Sequence, residues 1–257
     1  MTKVQKISKN ITPFTGVFYA NDEFKRCGLH KLVDNQLGIR ISTKGYSYSN
    51  LFRNFFNLFL CGSECAEDLQ QHFRPTLEQI PDNQVASANT QLRCFNELAT
   101  ENTVIVVPKS GKEYQFNINE KLNDLNVKSL LLTKQLKKDQ FYDFDYDNQI
   151  IEHEKFGAKK TYKMNSGDFP GIATIGDKIV YIENREGNAN VKTAQSEILE
   201  RSYKMLNQNE IYVNRSRMDA GSYAEEIIKV VDKYSKLFYI RANKCETLTE
   251  KISQIVD

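Results

Sequence analysis

Apolar positions recur along this chain at two spacings, three to four residues apart in the amino-terminal part and every second residue in several later runs. The first is the spacing of an amphipathic helix and the second that of a half-buried strand. In "YSYSNLFRNFFNLFL", Tyr48, Leu51, Phe52, Phe55, Phe56, Phe59 and Leu60 fall on one stripe, which predicts a core helix with Asn50, Arg53, Asn54 and Asn57 outside. "CAEDLQQHF" keeps the helical spacing with Cys65, Leu69 and Phe73 in line, and Pro75 and Pro81 bracket a connector. Ser87 is placed to cap a helix running to about Ala99, with Ala88, Leu92, Phe95 and Leu98 inward and Asn89, Thr90, Gln91, Arg93 and Asn96 outward. Amides, hydroxyls and a guanidinium on one helix face suit base edges and phosphates in a major groove, although a plain solvated face has the same composition.

"TVIVVPKSGKEYQFNI" then reads as a hairpin about a Pro-Lys-Ser-Gly turn, and "NEKLNDLNVKSLLLTKQLKK" as a helix with Leu122, Leu125, Ser129, Leu132 and Leu136 in line. From residue 140 the order becomes strand, strand, strand, helix, strand, helix, strand. The strands are "QFYDFDYDN", "PGIATI", "KIVYIEN", "IYVNRSRMD" and "KLFYIRA"; Gly176-Asp177 forms a tight turn, and "KFGAKKTYKMNSGDF" reads as a basic loop. Short links make the first three strands antiparallel, and helical crossovers make the later ones parallel to the first. One compact arrangement puts the fourth beside the first, in the order 3-2-1-4-5. The predicted class is α+β, with a mostly helical region at 1–138 and a mixed sheet with helices at 139–257.

The first of these strands raises a chemical question. Tyr142, Phe144 and Tyr146 share one face, and Asp143, Asp145 and Asp147 share the other. Carboxylates ~6.5 Å apart on one face repel by roughly 2 kcal/mol in a partly shielded site, so something positive belongs against them. A divalent cation would serve, held with Asp219 at the end of the parallel neighbour, because ligands gather outside the carboxyl ends of strands where the order switches. The bland alternative is that Asp219, just before Gly221-Ser222, only caps a turn.

Composition narrows the setting. Hydrophobic residues at 40% and charged residues at 26% are those of an ordinary globular protein. A net charge of +2 leaves any nucleic-acid binding to local patches. The five cysteines form no C-x-x-C pair, which suits reduced thiols and a cytosolic setting; Cys61 and Cys65, four apart, fall short of a closed zinc site. "MTKVQKISKNITPF" contains no apolar run resembling a signal peptide or membrane span.

Several short motifs together resemble the bacterial insertion-sequence transposases that carry an acidic triad on a ribonuclease-H-like fold. They are Asp143-Phe-Asp145-Tyr-Asp147, Gly167-Asp-Phe-Pro170-Gly171, Arg185-Glu-Gly187-Asn188, Arg217-Met-Asp219-Ala-Gly-Ser-Tyr223 and Phe238-Tyr-Ile-Arg241-Ala. They follow the family pattern D-x-D-x-T, G-Y-x-P, R-x-G-N, R-x-D-S-G-F in order, with Asp147 where a hydroxyl residue is common. Ser87-Ala-Asn-Thr90 with Arg93 is similar to the family's P-S-A-D-T-x-x-R helix, with Ala86 in place of proline and Asn89 in place of the acid.

The resemblance implies a partial ribonuclease-H-like sheet behind a DNA-binding helical region, Asp145 and Asp219 as catalytic acids, and Asp143 and Asp147 as further metal ligands. It also implies two Mg2+ or Mn2+ ions, double-stranded DNA at element ends and target as partner, and Asn89, Thr90 and Arg93 as DNA contacts. Lys159, Lys160, Lys163, Arg185 and Arg217 become candidates for neutralising phosphates. A homodimer and a cytoplasmic, nucleoid-associated protein follow by the same analogy. The family's third acid, a glutamate on a later helix, has no counterpart; Glu246 and Glu250 come too soon after the last strand. The chain is therefore expected to be an amino-terminal part with little or no activity. A non-catalytic DNA-binding protein and a metal-dependent nuclease of the same fold remain open.

Overall fold

The computed structural model describes residues 12–40, 45–108, 110–242 and 245–255. It falls into two compact units, Met1–Ala99 and Thr100–Asp257. The first contains α1 (Gly16–Arg26), α2 (Leu29–Leu37), α3 (Tyr48–Leu60), a π turn at Leu69–Phe73 that runs into α4 (Arg74–Leu77), and α5 (Ala88–Leu98). Ser47 and Ser87 cap α3 and α5, their hydroxyls accepting from the Asn50 and Thr90 N–H at 3.2 and 3.4 Å. Val17, Leu58, Leu69, Phe73, Leu77, Ile80 and Val85 form the apolar core of this unit.

Tyr48, Leu51 and Ala88 are buried as predicted, but other positions of α3 and α5 depart from their predicted orientation. Arg53, Asn54 and Asn57 of α3 are buried, whereas Phe59, Leu92 and Phe95 lie largely in solvent. Most of these buried polar groups pair with one another and with distant backbone, although Asn54 Oδ1 and Gln91 Oε1 have no partner among the described residues. The Asn21 amide donates to the Val17 carbonyl at 2.8 Å and to Asn57 Oδ1 at 2.5 Å, and Asn54 Nδ2 donates to the Gln84 carbonyl at 3.0 Å. Arg53 donates to Asn21 Oδ1 and to the carbonyls of Asp82 and Pro81, and Gln91 of α5 reaches the Leu51 carbonyl. Hydrophobic spacing alone does not register such pairings.

The second unit contains β1 (Asn102–Val106), β2 (Glu113–Asn117), α6 (Glu120–Leu132), β3 (Gln140–Asn148), β4 (Ile151–Glu152), β5 (Lys159–Lys160), β6 (Ser166–Asp168), β7 (Gly171–Ile175), β8 (Lys178–Arg185), α7 (Gln195–Gln208), β9 (Ile211–Met218), α8 (Glu225–Tyr234), β10 (Ser235–Ile240) and α9 (Glu246–Ser253). It is a mixed α+β unit. The main sheet runs β1-β2-β8-β7-β3-β9-β10, with β3, β9 and β10 mutually parallel and the other pairs antiparallel. The division at Ala99 differs from the boundary expected at residue 138, because β2 pairs with β8 and α6 packs along β8. Lys109, in the predicted hairpin turn, is outside the described residues.

Residues 155–169, read from sequence as a loop, instead carry β5 and β6, which with β4 form a small three-stranded sheet ordered β4-β6-β5. In and just after α9, Ile252 and Ile255 are exposed.

One face of the main sheet is covered by α7 and α8. Phe144, Tyr146, Ala173, Val180, Ile198, Leu199, Tyr203, Leu206, Ile227 and Val231 belong to a single core there. Each fully buried large side chain contributes roughly 1.5–3 kcal/mol. Tyr203 lies against Phe144 at 4.7 Å between ring centres and shares a 2.7 Å hydrogen bond with Ser216. Two bulges set which side chains point into that core. Tyr142 pairs with Val213 and Asp143 with Arg215, which leaves Asn214 as an extra residue in β9; Ala173 pairs with Tyr181 and Thr174 with Ile179, which leaves Val180 extra in β8.

An asparagine extends the ladder where β2 no longer pairs with β8. Asn123 of α6 donates to the Ile182 carbonyl and accepts from the Ile182 N–H, both at 2.8 Å, just as a neighbouring strand would. Asn123→Leu leaves both groups unpaired and is expected to cost about 1–3 kcal/mol. Hydrogen exchange at the Ile182 amide should accelerate in that variant; unchanged protection would remove Asn123 from this role.

Candidate functional site

The acidic face of β3 meets positive charge from its own neighbouring strand. The register places Arg215 beside Asp143 and Arg217 beside Asp145. Arg215 donates to both oxygens of Asp143 at 2.9 and 2.5 Å, and Arg217 to both of Asp145 at 2.7 and 2.6 Å. Such forked pairs suit guanidinium geometry. The hydrogen bonds from Arg215 hold the Asp143 carboxyl below the usual carboxylate range. Asp143 and Asp145 are thus engaged by arginines. Arg215 escaped the sequence reading, yet its two-residue spacing from Arg217 matches that of the two acids.

Asp147 and Asp219 are placed differently. They lie one residue beyond the paired Tyr146 and Met218, at the carboxyl ends of adjacent parallel strands. Both line a cavity of about 660 Å3, together with Lys112, Asn148, Lys160 and Tyr162. Asp147 accepts from the Asn148 N–H at 2.7 Å, and Asp219 from the Gly221 N–H at 2.9 Å, capping the turn at Ala220–Ser222. Asp219 therefore has its turn-capping role as well as a place in the cavity.

Both terminal atoms of Asn148 are buried without a hydrogen-bond partner among the described residues. That amide shares the Tyr146 face of β3, opposite Asp147, so the donors are the two carboxylates, hard ligands that suit Mg2+ or Mn2+, which commonly takes one or two protein carboxylates and completes its shell with substrate phosphate and water. No cluster of three or more Asp, Glu, His or Cys side chains arranged for a metal occurs among the described residues. The four-aspartate set expected from sequence is accordingly divided, two acids bound to arginines and two facing the cavity.

Part of the cavity wall is the loop following β8, and Arg185 holds it. This side chain is 1% exposed and donates to the carbonyls of Phe169, Val191 and Thr193 at 3.0, 3.1 and 3.3 Å. Its guanidinium also lies 5.6 Å from the Phe116 ring centre and 5.4 Å from that of Phe169. It is unavailable as a surface phosphate contact. Gly187 brings the loop against the small sheet, since a Cβ there would lie 2.3 Å from the Gly167 carbonyl oxygen. Gly171 similarly makes room for Tyr146, whose hydroxyl would sit 2.2 Å from an added Cβ.

On α5, Asn89 and Arg93 are exposed, but Thr90 is buried and its hydroxyl shares a 3.0 Å hydrogen bond with Ser87. Of the three residues expected to contact DNA, Asn89 and Arg93 are thus exposed and Thr90 is not. All five cysteines are free thiols, with Cys65 exposed and Cys61 half-buried. No helix among the described residues is long and apolar enough to cross a membrane.

These features define a mixed α+β unit with a pair of acids at the carboxyl ends of two adjacent parallel strands. No protein family and no curated protein matches the chain. Among solved structures it is similar to the Mos1 mariner paired end complex with Mn, at 13% identity over 96% of this chain and 90% of that one, with a TM-score of 0.28. It is also similar to the Mos1 Strand Transfer Complex, at 11% identity over 96% and 84%, with a TM-score of 0.30. At these scores the likeness carries no argument about function.

Proposed function

We propose that the chain is a DNA strand-transferring enzyme of the acidic, ribonuclease-H-like class, the transposase resemblance carried by its motifs. The supporting observation is that Asp147 and Asp219, from adjacent parallel strands, face one cavity beside Lys112 and Lys160. On this reading Asp147 and Asp219 would hold a divalent ion. Asp145 is the second candidate for the first acid and would act once Arg217 released it. Lys112 and Lys160 bind phosphate oxygens, and Arg185 keeps the facing loop in place. The reaction is displacement at a phosphodiester: water or a terminal 3'-hydroxyl forms the new P–O bond and the departing 3'-oxygen takes up a proton. Bound divalent cations would supply activation of the attacking oxygen and charge stabilisation at the leaving one. Duplex DNA is the partner, with Asn89 and Arg93 as its contacts on α5.

Calorimetric titration with Mn2+ tests the assignment. Asp147→Asn and Asp219→Asn are each expected to weaken binding by about ten- to a hundred-fold or more, with a smaller effect from Asp145→Asn. A large loss in Asp145→Asn with none in Asp147→Asn would move the first acid to Asp145. Equal binding by all variants would sink the reading. Joined as well as cleaved oligonucleotide products would separate strand transfer from plain nuclease activity.

A further inference from the structure

Between β3 and β7 the chain builds the small sheet of β4, β5 and β6, and its exposed edge has a composition that the acid pair does not account for. From Lys155 to Met164 there are four lysines and no acid. Among the described residues only Lys159 has a carboxylate partner, Glu186 at 3.9 Å. Phe156 is fully exposed at 108%, and Tyr162 is exposed at 69%. Single exposed apolar side chains need no explanation, but aromatic rings interleaved with unpaired cations on one small platform do. Lys163 lies 5.9 Å from the Tyr162 ring centre, and that ring packs edge-on against the buried Phe169 at 5.7 Å, so it is held in position rather than left to wander. The close approach at Gly187 fixes the platform itself against the loop after β8.

Lys160 and Tyr162 line the same cavity as Asp147 and Asp219. We infer that this platform seats an unpaired DNA strand, with Lys155, Lys160 and Lys163 on phosphates and Phe156 and Tyr162 stacked on bases, and leads it to the acid pair. The inference rests on the proposed function for the identity of the nucleic acid. The choice of single strand comes from the rings: a duplex hides its base faces, whereas unpaired bases offer them to any aromatic side chain. Lysines without acid partners supply the matching charge.

The test uses the full chain in EDTA, so that metal binding plays no part, and follows the fluorescence anisotropy of labelled oligo-dT of about 15 nucleotides and of a blunt duplex. Phe156 makes no ring contact that would be lost, so Phe156→Ala keeps the fold, which a thermal melt verifies. That variant is expected to bind oligo-dT about ten-fold more weakly with duplex binding unchanged. Lys155→Ala and Lys163→Ala should each lower the slope of log affinity against log salt by about 0.7 on the single strand. Unchanged oligo-dT binding in Phe156→Ala, equal losses on both DNAs, or no DNA binding by the wild type would each overturn the inference. If the Mn2+ titration fails while Phe156→Ala still discriminates, the reading of the acid pair falls and the platform stands.

Discussion

Arg201→Met is expected to destabilise the second unit by about 3–5 kcal/mol, because it strands a carboxylate in the core. The Glu183 side chain is fully buried and accepts from Arg201 at 2.6 and 2.8 Å and from the Tyr181 hydroxyl at 2.7 Å. Burial and the adjacent carboxylate push the Tyr181 phenol well above its ordinary range, so it stays a donor throughout the folded pH range. Removing the guanidinium leaves one phenol hydrogen bond and the more distant field of Arg185 to offset a buried negative charge. At roughly 2–4 °C per kcal/mol, the melting temperature should fall by about 10 °C. The double variant Glu183→Leu with Arg201→Met removes both charges and should recover most of the loss, since apolar replacement of a buried pair is commonly near neutral. A loss below about 1 kcal/mol in the single variant would mean that water reaches Glu183.

Arg185→Lys is expected to have an effect of the same size for a different reason. No carboxylate loses its partner; instead the carbonyls of Phe169, Val191 and Thr193 lose a planar donor that reaches all of them. A lysine ammonium is a point charge and cannot reproduce that fork. Each buried carbonyl left unpaired costs about 1–3 kcal/mol, and the total is expected near 3 kcal/mol after relaxation. The loop after β8 lines the acidic cavity, so its loosening should be visible as faster proteolysis and hydrogen exchange between residues 186 and 194. Wild-type exchange rates in that loop would show that Gly187 and the surrounding backbone hold it without the arginine.

Much of the second unit was legible because its signals are local. Gly176 has a positive φ of 61° and makes the two-residue turn between β7 and β8 where the sequence placed it. The alternation in β3 separates Phe144 and Tyr146, which are buried, from the aspartates. The demand for positive charge was legible too, but its source was not. Arg215 and Arg217 arrive from a strand about 70 residues downstream, and only the three-dimensional register assigns them to Asp143 and Asp145. In the helical unit the burial of polar side chains on α3 has a similar cause. Arg53 and Asn54 are buried because the carbonyls of Pro81, Asp82 and Gln84 come to meet them, and nothing within α3 announces those partners. The small basic sheet was missed because its strands are only two or three residues long, too short to display a period.

The extra residue in β9 has a consequence for how this strand tolerates change in length. Ile211 and Val213 point inward ahead of Asn214, and Ser216 and Met218 point inward after it, so the strand changes parity at that residue. Uninterrupted alternation from Ile211 would send Arg215, Arg217 and Asp219 into the apolar layer beneath α7 and α8, because a shift of one residue turns every later side chain to the opposite face. The loss of the single codon for Asn214 is therefore a shortening that the strand absorbs, because Val213 inward, Arg215 outward, Ser216 inward, Arg217 outward and Met218 inward then follow as a regular alternation. Straightening the bulge with Asn214 retained would instead take all three charged side chains at once from the surface on which they are used.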